Sequence, residues 1–456
     1  VRQLLIEFNE EIRVAETQPK QPVCGNKSIR YPNRNQVEVR IHSLDELIPE
    51  DHRVRDVWEF VCKMDLSAFT NEIKVMDGCP GPRTIAPQVL LALWLFAMLE
   101  RVNSARHIDR LCKEHHAYIW LCGGLSVNYH TLSDFRAQGG EVFRKVLQES
   151  IATLWHTGIF SVNETAQDGT RIKANAGARS MRRAPSLQQC LVEAKRYIKQ
   201  LEIELEENPS ASSSRQRAAK QRAAKERKER LERAQAELEK HKAHRIRSGK
   251  ENHKRPTKQE LEEIRISTTD PECRKMRMGD GGFRPAYNVQ FATTTDKKVI
   301  VGVDVVATLD PGTLSPMLQQ VKENLAKVGC PLPKRHLADS AYSQKNDVTK
   351  MVEQHSDIDL YATPPSNGTY DLFLPRKTDS EAMKKLRERM KTAEAQEIYK
   401  KRASTAEFVN ARTKNYGMSE VLVRGLSKVL NMALLYAVAH NLMTYMSFKA
   451  HVALVI

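Results

Sequence analysis

The sequence predicts an α/β protein with an all-α region ahead of its sheet and a helical pair inserted into it. Three patterns carry this prediction. Apolar residues recur at helical spacing over residues 43–157. Between 186 and 246 they step alternately by four and three, the seam of two packed helices. From Tyr287 the period drops to two, and strand-like runs then alternate with helical ones.

In the first region, Leu44, Leu47 and Ile48 open the helical pattern. Thr84 is the expected N-cap, with Pro87 in the first turn of the apolar run 89–99. One helix is expected over 104–120, stopped by Gly123 and Gly124, and another over 141–155. All four tryptophans fall here and read as core anchors. The segment 126–136, with Asn, His, Thr, Ser and Arg after a glycine turn, has the composition of a helix-turn-helix. Residues 1–40 read as a polar N-terminal arm.

In the second region, Ser186 and Gln189 have capping-box spacing. Leu187, Leu191, Ala194, Ile198, Leu201 and Leu205 form one coiled-coil seam. Ala224, Leu231 and Leu238 form the other, across a loop at 208–214. The whole chain of 456 residues carries 72 Lys or Arg against 56 Asp or Glu, a net +16. Residues 215–258 alone hold 17 basic and 6 acidic side chains. An unbalanced basic helix of this kind suits contact with a DNA backbone.

The third region holds strands at 287–293, 299–306, 336–339 and 359–363, helices at 314–328 and 343–354, and mostly helix over 381–443. The apolar stretch 429–446 is interrupted by Asn431, His440 and Asn441, so a buried helix fits better than a membrane span. Eight cysteines contain no CxxC pair, which argues against a zinc ribbon. A reducing cytoplasm is the expected compartment, and no signal peptide is evident. Cys112, His115, His116 and Cys122 match no standard zinc-finger spacing. No Walker or Gly-x-Gly-x-x-Gly sequence follows a strand, so nucleotide hydrolysis is not expected. Asp280-Gly281-Gly282 reads as a turn, and Asp304 and Asp310 lie in and just after a strand.

Two acids stand out. Asp168 precedes Gly169, which is expected to end a strand at 159–166 and leave the acid at its edge. Asp339 follows a short strand in the same way. Carboxyl ends of strands form the site crevice of α/β sheets. A third acid, Glu407, lies on a helix with Tyr399, Arg402 and Lys414. Three converging carboxylates repel one another unless a cation neutralises them, and an all-oxygen set suits Mg²⁺ or Mn²⁺. Two such ions about 4 Å apart would support phosphodiester cleavage, with Arg402 and Lys414 on phosphates.

The stretches Asp168-Gly-Thr-Arg-Ile-Lys-Ala-Asn-Ala176, Phe283-Arg-Pro-Ala-Tyr-Asn-Val-Gln290 and Ala338-Asp-Ser-Ala-Tyr342 carry a resemblance. So do the string Tyr399, Arg402, Glu407, Lys414 and the C-terminal Arg424-Gly-Leu and Ala439-His-Asn-Leu442. Together, over roughly residues 40–445, they resemble bacterial insertion-sequence transposases of the DDE class, related to the IS1182 group. The resemblance implies an RNase H-like catalytic domain over 158–456, interrupted by a basic helical hairpin at 186–250, and a helical DNA-binding domain at 41–157. It implies Asp168, Asp339 and Glu407 as catalytic and metal-binding acids, with Glu397 or Glu394 as alternatives to Glu407. Tyr399, Arg402 and Lys414 would be DNA-binding. The implied activity is cleavage at element ends and attack of the 3′-hydroxyl on target DNA. The implied partners are double-stranded DNA and a second copy of the chain, in the bacterial nucleoid, with no membrane. The related IS4-type signature has three residues between Arg and Glu; here there are four. The rival readings are a catalytically inactive DNA-binding derivative and a coiled-coil scaffold.

Overall fold

The computed structural model describes residues 35, 41, 43–70, 84–207, 213–251, 255–366 and 371–455. Apart from positions 35, 213 and 214, the arm expected at 1–40 and the loop expected at 208–214 lie outside the described residues.

A 3-10 turn at Asp45–Leu47 precedes seven helices: α1 (Arg53–Cys62), α2 (Ser67–Thr70), α3 (Pro87–Leu99), α4 (Ala105–Glu114), α5 (His116–Cys122), α6 (Tyr129–Gln138) and α7 (Gly140–His156). Leu44 and its neighbours thus form a short turn and not the opening of a helix. Pro87 starts α3, where its missing N–H forfeits no intrahelical bond. The N-cap is Ala86 and not the expected Thr84. Every residue from Val89 to Leu99 is buried, so α3 is apolar all round and runs through the core. The single helix expected at 104–120 is two. His115 turns extended, breaks the run, and caps α5 by accepting the Ala117 N–H at Nδ1, 3.2 Å away.

Trp94 is fully buried and donates its indole N–H to the Leu132 carbonyl at 3.1 Å. The Arg136 guanidinium lies 4.8 Å from its ring centre and donates to the Asn103 carbonyl. Arg136 is therefore an internal brace and not an exposed reading residue of a helix-turn-helix. Trp58, Trp120 and Trp155 are half-buried around the same core.

The sheet follows. Its elements are β1 (Glu164–Lys173), β2 (Met181–Arg182), α8 (Ala184–Glu207), α9 (Ser214–Glu251), α10 (Lys258–Glu262), β3 (Ile266–Ser267), β4 (Arg274–Arg277), β5 (Phe283–Thr294), β6 (Ile300–Val306), α11 (Leu314–Lys327), β7 (Arg335–Ala338), α12 (Lys345–Gln354), β8 (Asp359–Ala362), α13 (Glu381–Met390), α14 (Ala393–Asn415) and α15 (Leu426–Val455). The main sheet runs β4–β5–β1–β7–β8, with β6 also on β5. β5 is antiparallel to β1 and β6, whereas β1, β7 and β8 are mutually parallel. The fold is mixed α/β.

Helix α8 begins at Ala184, two residues before the expected cap Ser186, because Pro185 is tolerated in a first turn. Leu187, Leu191 and Ala194 of α8 pack with Leu231, Ala234 and Leu238 of α9. Beneath them β2 and β3 pair, and Arg274 binds Glu237 of α9 at 2.9 Å.

The polar interruptions of α15 are each satisfied. Asn431 donates to the carbonyls of Arg136 and Ala137 at the end of α6. His440 bonds the Lys298 carbonyl at 2.7 Å. Asn441 accepts the Ile300 N–H at 2.9 Å and donates to the Ile300 carbonyl and Ser150 at 3.0 Å. These bonds let α15 share one core with α3, α7 and β6. Among the described residues no helix is long and apolar enough to cross a membrane. Replacing Asn441 strands both backbone groups of Ile300. Asn441→Ala should therefore cost about 3 kcal/mol, read as a lower urea midpoint with an unchanged slope; an unshifted midpoint contradicts the role given to this side chain.

Candidate active site

β1 occupies the middle of the sheet, with β5 on one side and β7 on the other. It does not end at Gly169 as its sequence predicts but runs on to Lys173. Thr170 and Ile172 stay in register with Val289 and Tyr287 of β5, so the ladder continues past the glycine. Asp168 is thus a mid-strand residue. Its parallel neighbour β7 pairs Ala166 with Leu337, and two residues further along each chain stand Asp168 and Asp339. The structure brings these two predicted acids together at the carboxyl end of β7.

Gly169 has a packing reason. A Cβ there would lie 2.3 Å from Gln290 Nε2, 2.5 Å from Asp310 Oδ1 and 2.6 Å from Asn288 Oδ1. Those atoms belong to a polar cluster pressed against the strand. Asp310 Oδ1 accepts from Asn288 at 2.9 Å, from Gln290 at 2.8 Å and from the Tyr342 hydroxyl at 3.3 Å. Tyr342 also donates to Gln290 Oε1 at 2.6 Å, and Gln167 donates to the same oxygen at 3.0 Å. His336 of β7 meets Thr165 at 2.9 Å, and burial holds its ring neutral, with its pKa down at about 3. Strand alternation leaves Gly169 against this cluster and turns Asp168 the other way, toward α14.

On that side Asp168 Oδ2 accepts the Asn410 side-chain N–H at 3.0 Å, and Oδ1 accepts the Gly169 N–H at 2.9 Å. Burial still pushes the Asp168 carboxyl up to about 6. The charges of Asp339 and Asp310 push it the same way, against the Gly169 N–H and the Arg402 cation. Asp339 is half-buried and accepts the Ala341 N–H at 2.8 Å.

α14 is tied to the strands at its other end. The buried carboxylate of Glu164, at the start of β1, takes Arg335 of β7 at 3.0 Å and Lys401 of α14 at 2.9 Å. Arg402 is half-buried, lies 5.9 Å from the Tyr399 ring centre, and leaves a buried Nε with no hydrogen-bond partner among the described residues. Its charge reaches Asp168. Glu407 is exposed, one turn before Asn410, and among the described residues it shares no hydrogen bond or ion pair with the Asp168 and Asp339 site. Lys414 is exposed one turn after Asn410, and Glu394 and Glu397 are exposed on the first turns of the helix. Among the described residues no group of three His, Cys, Asp or Glu is assembled as a metal site.

The residues missed from sequence are Asn410 and the supporting set Asn288, Gln290 and Tyr342. The supporting set alone carries a signal: two amides and a hydroxyl in a strand and a turn that otherwise call for apolar side chains. Cys112 and Cys122 contact one another, which with burial raises the Cys112 thiol. His115 is spent as a helix cap.

These features describe an α/β protein in which a mid-strand carboxylate, Asp168, lies beside Asp339 at the end of the neighbouring strand and near the Arg402 cation of α14. Two family profiles match the chain. One, described as a transposase DDE domain, covers residues 372–446. The other, described as Transposase domain (DUF772), covers residues 42–138. Together they indicate an insertion-sequence DDE transposase. No curated protein and no solved structure matches the chain.

Two outcomes follow from this geometry. Gly169→Ala should cost several kcal/mol by forcing the Asn288, Gln290 and Asp310 atoms apart, seen as a fall in melting temperature, whereas Gly177→Ala, with open space around it, should change little. Because the Asp168 carboxyl is raised in the folded state, that state binds the proton more tightly than the unfolded chain does. Its contribution to stability is thus lost as pH climbs from about 4 to about 6 and stays lost above. Relative to Asp168→Asn, the wild type without divalent metal should lose melting temperature between pH 4.5 and 7.5. A gap that is constant across that range contradicts the raised carboxyl.

Proposed function

We propose that the chain cuts DNA at the ends of an insertion sequence by metal-dependent phosphodiester hydrolysis, and joins the exposed 3′-hydroxyl to target DNA. The observation that carries this reading is the placement of Asp168 and Asp339 on adjacent parallel strands, close enough that one raises the other's pKa. An RNase H-like catalytic core is supported by the strand order β6–β5–β1–β7–β8, with the first three antiparallel and the last three parallel. The basic α8–α9 pair is the insertion in that core, and the α1–α7 region is its helical partner.

The donor set fits a hard divalent cation. Asp168 keeps a raised pKa although it already accepts two N–H groups, so its oxygens still lack compensating positive charge. Asp168 and Asp339 would hold Mg²⁺ or Mn²⁺, with Glu407 as the third ligand, and a second ion fits this class of site. Such an ion supplies charge stabilisation and a deprotonated water or hydroxyl nucleophile. Asn410 orients the Asp168 carboxylate through its 3.0 Å bond. Arg402, stacked near Tyr399 with a buried Nε that has no partner among the described residues, and the exposed Lys414 bind and align the scissile phosphate. The reaction joins two element ends, so the working species is a dimer on DNA.

Strand cleavage of a duplex carrying the element's flanking repeats tests this directly. With Mg²⁺ or Mn²⁺, Asp339→Ala and Glu407→Ala should each lose at least about a thousandfold in rate, ~4 kcal/mol of transition-state stabilisation. If Glu407→Ala cuts like the wild type while Glu397→Ala does not, the third acid is Glu397. If all variants cut equally, the carboxylate site is not catalytic.

A further inference from the structure

The end of α9 and the outer edge of the sheet enclose a groove of about 1690 Å³. One wall is the last turns of α9, with Arg245 and Arg247. The other is β4, with Lys275 and Arg277, and Arg171 reaches in from β1. Among the described residues the lining holds eight Arg or Lys against three carboxylates. Arg274 is neutralised by Glu237 and clamps α9 to the sheet. Arg171 is held in place by donating to the Arg277 carbonyl at 3.1 Å. Arg245, Arg247, Lys275 and Arg277 are exposed and form no ion pair among the described residues. Folding alone gains nothing from facing these charges across one channel; a bound polyanion would relieve their repulsion.

The groove also abuts the polar cluster packed against Gly169, on the face of β1 opposite Asp168. Its floor includes Leu309, Pro311 and Gly312, which flank Asp310 on the loop after β6. Asp310 itself turns inward to Asn288 and Gln290. Gly312 is fixed by donating its N–H to Asp347 of α12 at 3.0 Å. Phe283, 57% exposed, lies 5.4 Å from the Lys275 ammonium and is the one large aromatic among the described lining residues. A track for single-stranded nucleic acid uses several rings to stack successive bases. This lining instead carries one such ring and a net excess of five Arg or Lys over carboxylates, which suits the phosphates of a duplex.

We propose that this groove, and not the outer length of α9, seats the phosphodiester backbone of double-stranded DNA. The proposal rests on the reading of the chain as a DNA-cutting enzyme. It divides the basic segment 215–258 in two: its far end is a solvated surface, and its end near the sheet is half of a DNA channel. The other half is made of residues more than fifteen positions beyond the segment, on β4.

The test compares two triple variants of the full chain. One neutralises the groove (Arg247→Gln, Lys275→Gln, Arg277→Gln). The other neutralises the exposed far part of α9 (Lys220→Gln, Arg222→Gln, Lys225→Gln). Binding to a short fluorescent duplex is measured by anisotropy over a range of salt, with divalent metal absent. The groove variant should bind at least about tenfold more weakly at 0.1 M salt, and its salt slope should fall by about 3, one unit per lost phosphate contact. The far variant should stay near the wild type. A third variant that keeps the charges (Arg247→Lys, Lys275→Arg, Arg277→Lys) should restore binding, which separates lost charge from lost structure. Wild-type affinity and slope in the groove variant overturn the proposal, as does an equal loss in both neutralised variants. Because no cutting is required, a wild type that binds but never cleaves DNA sinks the catalytic reading and leaves the groove result intact.

Discussion

The pairing of β1 on both edges is the constraint on which the rest depends. One edge is antiparallel to β5, and this presses Gly169 against the side chains of Gln290, Asn288 and Asp310. The other is parallel to β7, and this puts Asp168 level with Asp339. A strand held on one side only would leave its acid free to turn to solvent. Held on both, the carboxylate is partly dehydrated and stays close to like charge, which is why it sits near pH 6 and not in the usual carboxylate range. The protein stores this electrostatic cost at its centre, where a cation can relieve it.

The surrounding polar residues keep that cost from unravelling the sheet. Tyr342, Gln290, Gln167 and Asn288 form a buried network in which the strongest acceptor, Asp310, takes three donors on one oxygen. Glu164 uses its two oxygens to tie β7 and α14 to the start of β1. Helix α14 is therefore fixed at Lys401 and at Asn410, nine residues apart in sequence, and Arg402 and Glu407 lie between these two anchors. The chemistry proposed for α14 depends on a helix whose position is set by a salt bridge at one end and by Asp168 itself at the other.

Much of this was legible in the sequence where one physical signal dominated. The β-branched run of β6 and the heptad steps of α8 and α9 gave elements of the right type, because burial on a fixed period leaves few alternatives. Polar breaks in an apolar helix were legible as a sign of burial, and Asn431, His440 and Asn441 each hold backbone groups of a neighbouring element. What failed were boundaries set by tertiary contact. Gly169 looked like a strand end, yet it is a strand residue whose missing side chain makes room for Gln290. His115 looked like a helix residue, yet it breaks the helix and caps the next one. The segment 126–136 has the composition of a helix-turn-helix, yet its Arg136 is buried against the Trp94 ring. Of the site, the two acids on strands could be found from their place before small residues. Asn410 could not, since only the packing of α14 onto β1 selects it over its neighbours. The charge of the 215–258 segment was plain, but its partner wall on β4 is contributed by a short strand that carries no strong pattern of its own.

The central claim is that the carboxylates gathered by β1 and β7 bind a divalent cation together with α14. Iron-directed backbone cleavage tests it most directly. Fe²⁺ is loaded onto the DNA-bound protein in place of Mg²⁺, and ascorbate and peroxide are added so that the chain is cut beside the bound ion. The account predicts cuts near residues 168, 339 and 407, all suppressed by excess Mg²⁺. Cuts confined to other parts of the chain, or none that Mg²⁺ suppresses, would contradict it.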